Sequence, residues 1–60
     1  MQITIKFDVD NEAFDDAYEV ERVLKTVTER IAHNGYDRPY NFALCDSNGN
    51  TIGACVISQE

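Results

Sequence analysis

Seven carboxylates crowd into fourteen positions: Asp8, Asp10, Glu12, Asp15, Asp16, Glu19 and Glu21. No Lys or Arg falls among them, and the remaining chain, with four acids and five bases, is close to neutral. The net charge of −6 is therefore a local feature. Clustered carboxylates do three kinds of chemistry: they hold cations, they act as paired acid and base, or they present a field to a basic surface.

The cation reading fits in part. Counted from Asp8, acids fall at positions 1, 3, 5, 9 and 12 of a twelve-residue calcium loop, namely Asp8, Asp10, Glu12, Asp16 and Glu19. Such a loop needs Gly at its sharp turn, where this chain has Ala13. Asp15 also stands where an apolar residue is usual, so helix capping and solvated charge explain the acids better, and no metal or cofactor is assigned. The acid–base reading needs a pocket, and 60 residues folded around a convex connection leave little room for one. His33 has no Ser or Cys partner at useful spacing, and Ser47-Asn48-Gly49 is a turn rather than a phosphate cradle. An enzyme is not expected. The third reading remains: a field that repels nucleic-acid phosphates and draws in a basic protein surface. Its contact residues would be Asp8, Asp10, Glu12, Asp15 and Glu21, with Tyr18 as an apolar anchor.

The two cysteines offer no staple. In the hairpin derived below, Cys45 faces Thr51 and Cys55 faces Asn41, too far apart to bridge. Neither has His spacing for zinc, so both are read as reduced thiols.

The acidic run must be held by its neighbours. QITIKF, residues 2–7, alternates as a half-buried strand does, with Ile3, Ile5 and Phe7 on one side. Asp10 or Asn11 can cap a short turn that folds Phe14 onto the core. From Asp16 to Asn34, Val20, Val23, Leu24, Val27 and Ile31 repeat at helical spacing and draw one apolar stripe. Asp16 and Glu19 read as a capping box, and Asn34-Gly35 as the stop. Two strands follow Pro39, YNFALCD and TIGACVI, joined by SNGN. A type I turn closed by a left-handed Gly49 pairs Leu44 with Ile52, Phe42 with Ala54 and Tyr40 with Val56.

The expected fold is a single α+β domain over residues 1–60, β-α-β-β, with a three-stranded antiparallel sheet ordered 2-3-1. One amphipathic helix packs on one face. That helix would cover Ile3, Ile5, Phe7, Phe42, Leu44, Ile52 and Val56. The opposite face would carry small residues, among them Ala43, Cys45, Gly53 and Cys55, and this face, or an exposed edge strand beside it, is the expected surface for self-association as a homodimer or for partner docking. No apolar run approaches the roughly 20 residues of a membrane span, and the opening lacks the apolar centre of a secretory signal. A soluble, cytoplasmic chain is expected.

Three segments carry a resemblance: the opening MQITIKFDVDNEAF, the E-V-x-R-V-L helix from Glu19 to Leu24, and the closing DSNGNTIGACV. Together they resemble a family of short proteins encoded by tailed bacteriophages. The resemblance implies action in the cytoplasm of an infected bacterium. By analogy with small acidic phage proteins, it also implies host takeover or anti-defence inhibition by binding a host or defence protein, sometimes by imitating the charge of DNA. The alternative is a homo-oligomeric structural or accessory protein assembling through its sheet.

Overall fold

A computed structural model describes residues 1–59. Strand β1 spans Gln2–Phe7, a short 3-10 turn Glu12–Phe14, helix α1 Tyr18–Asn34, β2 Tyr40–Cys45 and β3 Thr51–Ser58. The sheet is antiparallel throughout and ordered β1-β3-β2, so the strongly apolar last strand lies in the middle, as expected. Pro39 sits just ahead of β2, an edge strand, where its missing amide donor does no harm.

Local chemistry sets each boundary. Asn11 caps the 3-10 turn by accepting the Ala13 amide at 3.0 Å. Phe14 at the end of that turn lies 6.2 Å from the Phe7 ring, nearly parallel to it. The helix begins two residues later than expected. Asp16 accepts the Tyr18 amide at 2.9 Å, but Ala17 occupies the N-cap position and the reciprocal half of the capping box is absent. Glu19 has turned instead to Arg22, one turn along the helix, and to the Ser47 amide of the hairpin. At the other end Gly35, at φ 75°, closes α1 by donating its amide to the Ile31 carbonyl.

The hairpin turn forms as expected: the Gly49 amide donates to the Asp46 carbonyl, and the Asp46 amide to the Asn50 carbonyl. Gly49 takes the left-handed conformation, at φ 86°. Cys45 pairs with Thr51, also as expected, but the next pair is Leu44 with Gly53. Ile52 is an extra residue in β3, a β-bulge, and it shifts the register by one. A one-residue shift moves every later side chain to the other face. Cys55 and Ile57 therefore enter the core in place of Ala54 and Val56. The buried core is Val23, Val27, Phe42, Leu44, Cys55 and Ile57.

This register corrects the expected self-association face. Cys55 is fully buried, and Gly53 lies on the helix side, opposite Phe7 and Leu44. A Cβ at Gly53 would collide with the Lys6 carbonyl oxygen and the Phe7 Cα, so β1 approaches there because no side chain intervenes. Ala43 and Cys45 remain exposed. Both thiols are free.

The helix lies nearest β2. Arg30 crosses to the Phe42 ring, its Cζ 4.9 Å from the centroid. The Tyr40 hydroxyl donates to the Gly35 carbonyl. On β1, Ile3 and Ile5 face the helix side yet stay 44% and 41% exposed, with Leu24 of the stripe at 40%.

Candidate functional site

The C-terminal end of β1, the N-terminal end of α1 and the β2–β3 turn meet at one end of the sheet. Two carboxylates tie them together. Asp46, only 4% exposed, accepts the backbone amides of Asn48 and Asn50, each at 2.9 Å. Its other oxygen accepts the side-chain amides of Asn11 at 2.8 Å and Asn50 at 3.3 Å. Glu19, 8% exposed, accepts from Arg22 through both oxygens, at 2.9 and 3.1 Å, and from the Ser47 amide at 2.7 Å. Arg22 reaches on to the Cys45 carbonyl at 2.8 Å. The hairpin is thus held twice, once from the connector and once from the helix.

These contacts set the protonation of both acids. For Asp46, burial pushes the pKa up, but the amides of Asn50, Asn48 and Asn11 together outweigh it and hold the group below its ordinary value. For Glu19, the Arg22 guanidinium leads and the Ser47 amide assists, and they overcome the opposing effect of burial. Both are carboxylates at neutral pH, and no buried side-chain polar atom among the described residues lacks a partner.

The remaining acids of the run behave differently. Asp8, Asp10, Glu12, Asp15, Asp16 and Glu21 are all exposed. Among the described residues the one ion pair is Arg22–Glu19, so no cation neutralises these six. Tyr18 stands among them at 77% exposure and Val9 at 50%. Every expected partner-contact residue, Asp8, Asp10, Glu12, Asp15, Tyr18 and Glu21, therefore lies on the surface at or beside this end. Among the described residues no three His, Cys, Asp or Glu side chains converge as ligands of a metal would. Glu19, the last position of the calcium-loop count, is engaged by Arg22 and Ser47.

Sequence reasoning missed Asp46 and Arg22. Asp at the head of D-S-N-G-N is a sequence signal for a side chain that bonds its own turn amides. Its contact with Asn11, 35 residues away, leaves no local trace. Comparison of the chain with protein-family models, characterised proteins and solved structures finds no match.

Proposed function

We propose that this chain is a non-enzymatic inhibitor that lays its acidic end against a basic site on a host or defence protein of an infected bacterium. One observation carries the reading: six exposed carboxylates, none ion-paired among the described residues, share positions 8–21 with two exposed apolar side chains, Tyr18 and Val9, and the connector within that stretch is anchored to the hairpin. Charge brings a basic partner in and sets orientation, whereas a rigid aromatic supplies buried area. Anchoring by Asp46 and Glu19 limits the ordering that binding would otherwise require. A surface of closely clustered carboxylates also suits a protein site built for phosphates, so duplex DNA and this chain would compete for it.

The test is capture from bacterial lysate at low and high salt, followed by titration of the captured protein with duplex DNA. Binding should weaken steeply with salt, DNA should displace the chain, and the triple reversal Asp10→Lys/Glu12→Lys/Asp15→Lys should abolish capture while the circular dichroism spectrum stays unchanged. Affinity unaffected by the reversal overturns the charge mechanism.

A further inference from the structure

We propose that two copies of this chain pair through their β1 edges, antiparallel about a two-fold axis beside Thr4, and so cover the exposed isoleucines of β1. This surface is separate from the acidic end.

The backbone supplies the first argument. In an antiparallel pair, residues alternate between hydrogen-bonded and non-bonded positions. The Asp8 amide donates to the Ile52 carbonyl at 3.0 Å, and the same register pairs Lys6 with Ala54 and Thr4 with Val56. The even residues of β1 therefore bond to β3. Ile3, Ile5 and Phe7 turn their N–H and C=O groups outward along a free edge, because β1 ends the sheet.

The side chains supply the second. Ile3 and Ile5 on the helix side of β1 and Leu24 of the helix stripe are each 40% exposed or more. Ile3 also lines a groove of about 920 Å³ whose other walls include Met1, Ala32, His33, Tyr36 and Asp37. A chain whose buried core is six residues leaves these large apolar groups wet although they share the core's face.

Self-complementarity selects a second copy over a foreign strand. Centred on Thr4, the register sets Ile3 opposite Ile5 of the partner subunit twice over, so four isoleucines fill the joint floor between two helices. On the other face Gln2 meets Lys6 of the partner subunit and Thr4 meets its own mate. No like charges stand opposite one another. The acidic connectors are sent to opposite ends of the paired strands, about 20 Å apart for six residues, beyond the roughly 8–10 Å over which salt leaves charges sensitive to each other. A stable dimer of ordinary size hides roughly 800 Å² per partner. That is about a fifth of the 4396 Å² this chain exposes.

Sedimentation equilibrium should return twice the 6.8 kDa chain mass for the wild type. Ile5→Lys, at a site already exposed, should keep its circular dichroism spectrum and weaken self-association by about tenfold or more. Val56→Lys, on the opposite face of the central strand, should leave the dimer intact. In a Cys45→Ser background, Thr4→Cys should cross-link on mild oxidation, since facing residues at a non-bonded pair lie about 4.5 Å apart. A wild-type monomer at the highest attainable concentration overturns the proposal. So does a dimer that survives both Ile3→Lys and Ile5→Lys, and a dimer that never cross-links through Thr4→Cys overturns the register.

Discussion

The two flanks of this small sheet are finished in opposite ways. At the acidic end, Asp46 and Glu19 are buried, and each joins its local bonds to one long-range contact, Asp46 with Asn11 and Glu19 with Ser47. Along β1, apolar side chains of the inner face are left half wet. The lesson is that polar contacts organise the end where backbone turns accumulate, while the apolar surplus collects where the single helix does not reach. A thin core contributes only about 3–5 kcal/mol net, so both flanks matter to whether the chain stays folded.

The sharpest way to break the contrast is Gly53→Val. Any side chain there meets the β1 backbone, so β1 must detach, at about 4 kcal/mol or more, and the chain should be unfolded by circular dichroism at 25 °C. Next is Leu44→Ala, in the one core that serves both flanks. It should cost about 2–5 kcal/mol in urea denaturation.

Asp46→Asn tests the polar end alone. The hairpin amides lose their carboxylate, and hydrogen exchange at Asn48 and Asn50 should accelerate well before exchange in β1 does. The same network makes a pH prediction. Asp46 and Glu19 are depressed in the folded state, so their stabilisation is present above the ordinary values of 3.8 and 4.5 and is lost as pH falls below them. Melting temperature should therefore drop on acidification below about pH 4.5, and Asp46→Asn should flatten that drop. The smallest effect belongs to Arg30→Met, which removes the cation from the Phe42 face. It should lower stability by about 0.5–1 kcal/mol with no change in pH dependence.

Element order, the central position of the last strand, the helix stripe and the Asp46–Asn50 turn were all legible, because each rests on contacts within a few residues or on strict period. The register of β3 was not. TIGACVI offers two apolar sets, Ile52/Ala54/Val56 and Cys55/Ile57, and a correctly read turn selects the wrong one once Ile52 bulges. Gly53 was the available sign, since a strand-interior glycine commonly marks a bulge or a close backbone approach. At the candidate site the exposed acids were legible as a cluster. Their division into one buried anchor and six free charges was not, because Glu19 left its helix-capping role for Ser47 and Arg22, a choice settled by tertiary position.

The two thiols now acquire a use. Cys45 is open to reagents, whereas Cys55 is sealed in the core, with burial pushing its pKa up. A maleimide dye added to native chain should load at one position and stop. Slow alkylation at the second sulfur would then time the opening of the interior, so the wild-type sequence carries both a labelling handle and a clock for its own unfolding.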